Sequence, residues 1–117
     1  EHSDTIYEPM KRNQPLLDAF AGNMAAAGLA EGEPIPDRLG SSDVGNVSQV
    51  IPTIQPMIGI APLGTAIHTR EFADAAVTPL ARAGLLAAAK TMALTTFDLL
   101  ADPARVRAAK DEFARSR

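Results

Sequence analysis

Two residue pairs, Thr78-Pro79 and Asp102-Pro103, most constrain how this chain can fold. A short polar side chain followed by proline is typical of a helix N-cap and first helical position. The residues between the pairs are mostly apolar, which predicts one long helix from Pro79 to Ala101 and a second over 103–115. Apolar side chains occupy two adjacent faces of the long helix, so we predict a wide buried arc, as for a helix packed on a sheet. These faces are Leu85, Ala89, Met92 and Thr96, and Leu86, Ala93, Phe97 and Leu100.

The first half of the chain carries two more helix signals. Asn13 reads as an N-cap before a helix over 14–27, and Gly28 suits the left-handed position that ends a helix. Valines spaced three apart predict a short helix over 43–50, capped by Ser42 or Asp43.

The sequence also predicts a strand near 56–61. Ile54, Ile58 and Ile60 would point to one side and Met57 to the other. One strand leaves its backbone groups unpaired, so either residues 4–10 pair with it, or its partners lie in missing sequence or in a second molecule. We therefore expect an α/β fragment with one or two strands and three or four helices, which self-associates when isolated.

Composition narrows the possible partners and compartments. The 117 residues suffice for one domain, and alanine makes its core thin. A net charge of −3 gives no sign of a nucleic-acid partner, and no stretch reads as apolar enough for a membrane span. The absence of cysteine is compatible with a cytoplasmic location. Because the chain opens on Glu1, we expect an expression or processing product or a piece of something longer.

His68 is the first candidate for chemistry. It follows Gly64 on a predicted loop after the strand and precedes a helix-like segment. Its imidazole could bind a metal, act as a base or simply form hydrogen bonds in the loop. One histidine does not hold zinc, which needs three or four protein ligands. Glu71 and Asp74 could orient His68 or could be solvated residues of a first helical turn.

The segment Gly40, Ser41, Ser42 and Asp43 is the second candidate. Glycine and small hydroxyls at a helix start can present backbone N–H groups to a substrate carboxylate, although an ordinary N-cap has the same composition. A hydrolytic triad with His68 is disfavoured, because adjacent Ser42 and Asp43 cannot easily flank one imidazole. The chain supplies no catalytic residue of its own by this reading.

Three stretches carry a family resemblance: residues 9–13 (PMKRN), 40–52 (GSSDVGNVSQVIP) and 68–72 (HTREF). In their order and spacing the chain resembles the co-catalytic zinc amidohydrolases and metallopeptidases, the group of aminoacylase, carboxypeptidase G and aminobenzoyl-glutamate hydrolase. The resemblance implies that residues 1–117 form one lobe, the C-terminal part of a metal-binding catalytic domain. The lid domain and the N-terminal lobe, with the His-x-Asp and Glu-Glu motifs, would be absent.

The same resemblance implies roles for the candidate residues. His68 matches a ligand of a two-zinc site, and Gly40 to Asp43 match a loop at the substrate's carboxylate end. The parent would cleave an amide bond of an N-acyl amino acid or a dipeptide-like substrate, while this chain alone would be inactive and hold zinc weakly. Its expected partners are the N-terminal lobe, the lid and further copies of itself, with neither nucleic acid nor membrane.

Two alternatives stay open. One is a small non-enzymatic, helix-rich module that oligomerises, with His68 purely structural. The other is a split hydrolase subunit that works only with a partner chain carrying the missing motifs.

Overall fold

The computed structural model describes residues 6–32 and 42–116, and these fold as helices joined by irregular segments. Their α-helices are α1 (Gln14–Met24), α2 (Val44–Ser48), α3 (Arg70–Ala75), α4 (Pro79–Ala101) and α5 (Pro103–Arg115). One turn of 3-10 helix, Ala25–Ala27, extends α1. No strand forms within the described residues, so the predicted α/β class is wrong for this part of the chain.

Helices α1, α4 and α5 pack against one another as a three-helix unit. The predicted caps of the two long C-terminal helices are confirmed: Thr78 Oγ1 accepts from the Ala81 N–H at 3.3 Å, and an Asp102 carboxylate oxygen accepts from the Ala104 N–H at 2.9 Å. Each satisfies a backbone donor that the first helical turn leaves free. The sequence therefore locates both helix starts correctly.

Asn13 fixes the start of α1 and also joins it to α5. Its side-chain oxygen accepts from the Leu16 N–H at 3.3 Å, and its amide donates to the Ala109 carbonyl at 2.9 Å. Asn13 is only 2% exposed, and its bond to Ala109 is buried, so these bonds satisfy the polar atoms of a side chain that water hardly reaches. Gly28 ends the 3-10 turn at φ 83°, as predicted from its position.

The buried side of α4 is a seam of small residues, and the predicted wide apolar arc is wrong. Leu85, Met92 and Phe97 are 66%, 58% and 67% exposed. The seam follows intervals of three, seven and four residues and comprises the buried residues Ala81, Gly84, Thr91 and Thr95. Because α4 is apolar nearly all round, hydrophobicity alone cannot reveal which side the neighbours cover. Small side chains line the covered side because they allow close approach.

Residues 54–60 do not form the predicted strand over 56–61, although they keep part of a strand's character. Exposure alternates residue by residue, with Ile54, Ile58 and Ile60 partly covered and Met57 80% exposed, as predicted. No backbone hydrogen bond joins this segment to another part of the described chain. A strand requires hydrogen bonds to a neighbouring strand, and no described segment pairs with residues 54–60. Residues 6–11, the described part of the expected partner, bond instead to side chains of residues 46–49.

The segment over 54–60 instead rests on α4 at Gly84. A Cβ atom at Gly84 would stand 2.8 Å from the Gly59 carbonyl oxygen and 3.2 Å from Ile60 Cγ2. Only glycine leaves room for this approach, which explains a glycine inside a long helix.

Residues 6–11 lie across α2, held by side chains of α2 and of Gln49, which follows it. Asn46 Oδ1 accepts from the Glu8 N–H at 3.2 Å, while its amide donates to the Ile6 carbonyl at 2.8 Å. Ser48 Oγ accepts from the Lys11 N–H at 2.9 Å, and Gln49 donates to the Pro9 carbonyl at 2.7 Å. These four hydrogen bonds form a clamp on residues 6–11. They satisfy backbone groups in a stretch that the sequence analysis offered as a possible pairing partner of the predicted strand.

One helix in the described part of the chain, α4, has the length and composition to cross a bilayer. This corrects the expectation that no stretch comes near that requirement. Only 17% of the most apolar 18-residue stretch of α4 is buried within the described part of the chain. Length and composition are weak evidence, because core helices of soluble proteins pass the same test, and Lys90 would lie at the middle of such a span.

Candidate functional site

His68 is exposed and lies on the loop directly before α3, as the sequence predicts for its placement. Its backbone has φ 63°, in the left-handed region that only glycine enters without a steric penalty. For another residue that conformation costs roughly 1–2 kcal/mol. Sequence alone could not have shown this backbone state.

Two successive four-residue turns, 62–65 and 66–69, build this loop. In the first, the Thr65 hydroxyl and N–H donate to the Pro62 carbonyl at 2.8 and 3.1 Å. In the second, the Thr69 hydroxyl donates to the Ala66 carbonyl at 2.7 Å. The third residue of each turn has positive φ, and it is a glycine only in the first.

Gly64 and His68 therefore occupy equivalent positions in neighbouring turns. Position three of a turn with positive φ favours glycine or asparagine. At Gly64, with φ 91°, the chain uses the residue that this conformation favours. At position 68 it places an imidazole despite the backbone penalty. Such an outlier is a sound starting point for a functional hypothesis, because packing does not require an exposed side chain there.

The described residues do not surround His68 with other metal ligands. They contain no group of three or more His, Asp or Glu side chains arranged to hold a metal ion. No hydrogen bond or ion pair among them joins His68 to Glu71 or Asp74, so the idea that these carboxylates orient it has no contact behind it. A single exposed imidazole can offer one ligand position and no more.

The second candidate segment is only partly within the described residues, since Gly40 and Ser41 lie outside them. Ser42 Oγ accepts from the Val44 N–H at 3.1 Å and donates to Gln55 Oε1 at 3.3 Å. Asp43 is exposed at the start of α2 and makes no side-chain cap bond. Asp43 thus occupies the N-cap position without capping through its side chain, while the hydroxyl of the preceding Ser42 accepts from the first N–H of α2.

The structure assigns the rest of this motif to scaffolding that the sequence reading missed. Asn46, Ser48 and Gln49 all serve the clamp on residues 6–11. Gly45 lies so close to the Glu8 backbone that any Cβ atom would overlap it. The sequence signal for this clamp was the group of polar residues in and just after a short predicted helix. The clamp joins two of the stretches that carry the family resemblance, 9–13 and 40–52.

An apolar groove of about 370 Å³ runs beside the N-terminal half of α4. The segment over 54–60 forms one wall, and the junction between α3 and α4 forms the other. His68 does not line it. Its apolar lining includes Ile58, Ile60, Val77, Ala81, Leu85 and Ala88.

Comparison with known proteins gives three partial matches. A Xaa-Arg dipeptidase of Mus musculus is 33% identical over 106 residues, which cover 86% of this chain and 24% of the relative. The Xaa-Arg dipeptidase of Homo sapiens is 30% identical over 104 residues, with the same two shares. A subunit of the p-aminobenzoyl-glutamate hydrolase of Escherichia coli (strain K12) is 38% identical over 72 residues, 62% of this chain and 15% of the relative.

This chain is similar to peptidases and to an amidohydrolase subunit. It spans about a quarter or less of the length of each of these relatives. No family model matches it, and no solved structure matches it significantly. The matches support a function of the peptidase or amidohydrolase kind.

Proposed function

We propose that this chain is part of a metal-dependent amidohydrolase or peptidase that cleaves an amide bond of an N-acyl amino acid or a dipeptide-like substrate. His68 supplies one metal ligand, and the loop from Gly40 to Asp43 meets the carboxylate end of the substrate. The similarity to two dipeptidases and an amidohydrolase subunit supports the reaction class. The observation that carries the assignment of His68 is its exposed side chain on a left-handed backbone.

The proposed metal is zinc at a two-metal site, and the fit is partial. The described residues provide one imidazole, so the remaining ligands come from outside them. When bound, zinc polarises a carbonyl and acidifies water. His68 would contribute an imidazole nitrogen from an exposed turn, a ligand type that zinc accepts. Ser42, whose hydroxyl already bonds the Val44 N–H and the Gln55 side chain, contributes loop geometry rather than a nucleophile.

The proposal also covers the partners of this chain and its location in the cell. An N-terminal catalytic lobe and a lid domain supply the other ligands and the base, further copies of the chain associate with it, and the protein works in the cytoplasm. The shares of the relatives' length leave room for such additional parts.

Replacing His68 in the full-length protein that contains this chain tests the ligand role. We expect His68→Gly to cut turnover by orders of magnitude and to lower bound zinc. Stability should be unchanged or slightly raised, because glycine adopts φ 63° freely. Suitable substrates are N-acetyl amino acids, p-aminobenzoyl-glutamate and dipeptides ending in arginine. His2→Gly, at the chain's other histidine, is the control.

Full activity and full zinc content in His68→Gly would refute the assignment. Loss of activity together with a large loss of stability would instead mean that His68 is structural. The two outcomes are separated by thermal unfolding of each variant beside the unsubstituted protein.

A second candidate function is a non-enzymatic helical module that oligomerises. The large apolar side chains exposed along α4 favour it, since such surfaces commonly mark interaction sites. If the full-length protein hydrolyses none of the amide substrates with zinc, cobalt or manganese supplied, this candidate replaces the first.

A further inference from the structure

We infer that Thr69 is the positioning residue for His68: its hydroxyl locks the left-handed turn that presents the imidazole. This inference rests on the proposed role of His68 as a metal ligand. It concerns a residue to which neither the sequence motifs nor the similarity to the relatives assigns a role.

The Thr69 hydroxyl makes two bonds that point in opposite directions along the chain. It donates to the Ala66 carbonyl at 2.7 Å and accepts from the Phe72 N–H at 3.2 Å. The first bond closes the turn over 66–69, and the second caps α3. One oxygen atom therefore ties the turn that contains His68 to the first turn of α3.

His68 depends on the Thr69 hydroxyl bond more than Gly64 depends on the equivalent bond in the first turn. At φ 63° it sits in a conformation that a residue with a Cβ atom leaves readily when nothing holds it. Return to negative φ would redirect the Cα–Cβ bond and thus the whole imidazole. A metal ligand displaced by a fraction of an ångström binds poorly, because coordination geometry is strict.

The first turn provides a natural comparison. Thr65 makes the same hydroxyl-to-carbonyl bond at 2.8 Å, but there the positive-φ residue is Gly64. Glycine holds positive φ without assistance. Loss of the Thr65 hydroxyl should therefore leave the loop geometry almost unchanged, whereas loss of the Thr69 hydroxyl should release His68.

The test compares Thr69→Val with Thr65→Val in the full-length protein, because each removes one hydroxyl and keeps the side-chain shape. We expect Thr69→Val to weaken zinc binding by about tenfold or more, the usual effect of losing a group that orients a ligand. Thr65→Val should bind zinc as the unsubstituted protein does. Thr69→Ser keeps the hydroxyl and should restore zinc affinity.

Two further measurements keep the test decisive. Thr69→Gly removes the turn-closing hydroxyl while glycine remains tolerated at an N-cap, so it serves if Thr69→Val unfolds α3. In metal-free protein labelled at histidine, a strong nuclear Overhauser effect between the amide and α protons of His68 reports positive φ. We expect that signal to weaken in Thr69→Val and Thr69→Gly, and to persist in Thr69→Ser.

Equal zinc affinity in Thr69→Val and Thr65→Val, with His68 still at positive φ, would overturn the inference. That failure differs from failure of the proposed function, in which His68→Gly itself keeps zinc and activity. A fall in melting temperature alone, with zinc affinity unchanged, would show that Thr69 is only a helix cap and would equally overturn the inference.

Discussion

Asn13 shows how much of the fold can depend on a single side chain. The sequence identifies it as an N-cap, because capping is a local property of residue type and position. Its second bond, to Ala109, could not be predicted, because it depends on how α5 packs. Local chemistry is readable in the sequence, and tertiary contacts of the same side chain are not.

Asn13→Ala should destabilise the isolated chain by about 1–3 kcal/mol, since it removes the cap of α1 and the buried hydrogen bond that joins α1 to the Ala109 carbonyl of α5. Urea unfolding followed by circular dichroism measures the change. Asp102→Ala, which removes an exposed cap of α5, is the matched control and should cost only about 1 kcal/mol. Equal losses in the two variants would mean that the bond to Ala109 contributes nothing.

The candidate site was predictable in part at the same scale. A loop position for His68 followed from Gly64 before it and helical residues after it. Its left-handed backbone did not, because nothing in the sequence distinguishes the turn at His68 from an ordinary loop. The prediction for Gly40 and Ser41 lies outside the described residues. The Ser42 hydroxyl accepts from the Val44 N–H, and its contact with a substrate stays a prediction.

At the level of helices and segments, the caps and prolines made α4 and α5 predictable, while the buried face of α4 was not. The prediction assumed that large apolar residues face inward. The structure buries small ones instead. Near the end of this side, Thr95 and Asp98 accept hydrogen bonds from the Asn23 amide of α1 at 3.4 and 2.9 Å. The strand prediction failed for a different reason: alternation was correct, but a ladder needs a second segment that the described chain does not offer.

Substituting the glycines of α4 and α1 should separate close packing from helix propensity. Gly22→Ala in α1 meets no atom within 4 Å, so we expect stabilisation by about 0.5–1 kcal/mol. Gly84→Ala gains the same propensity but pushes its Cβ to 2.8 Å from the Gly59 oxygen. It should therefore be less stable than Gly22→Ala by at least about 1 kcal/mol. Thermal unfolding of both variants measures this difference. Identical shifts in melting temperature would show that residues 58–60 do not pack on α4.

Seen as a whole, the molecule buries few large side chains. Among the described residues the core is made of Ala19, Phe20, Ala27, Ala81 and Ala109, while several leucines, Met92 and Phe97 along α4 remain exposed. Burial of so little apolar area supports only modest stability. An exposed apolar surface of this kind tends to be covered by another molecule.

We therefore expect the isolated chain to associate at micromolar concentrations. Leu85→Lys combined with Met92→Lys, both on one side of α4, should shift it toward monomer by placing charge on that surface. Ala104→Lys combined with Ala108→Lys adds the same charge on exposed positions of α5 and should leave association unchanged. Sedimentation velocity over a concentration series makes the comparison. A monomeric unsubstituted chain throughout the series would contradict the expectation.

The bond between Asn13 and Ala109 has a consequence for biosynthesis. Its two residues are 96 positions apart, so a ribosome adding roughly 5–20 residues per second completes α5 about 5–20 s after α1. For most of that interval α1 lacks both α4 and α5, the helices on which it packs. Nascent chains halted before Pro79, where α4 begins, should accordingly be protease-sensitive and rich in bound chaperone.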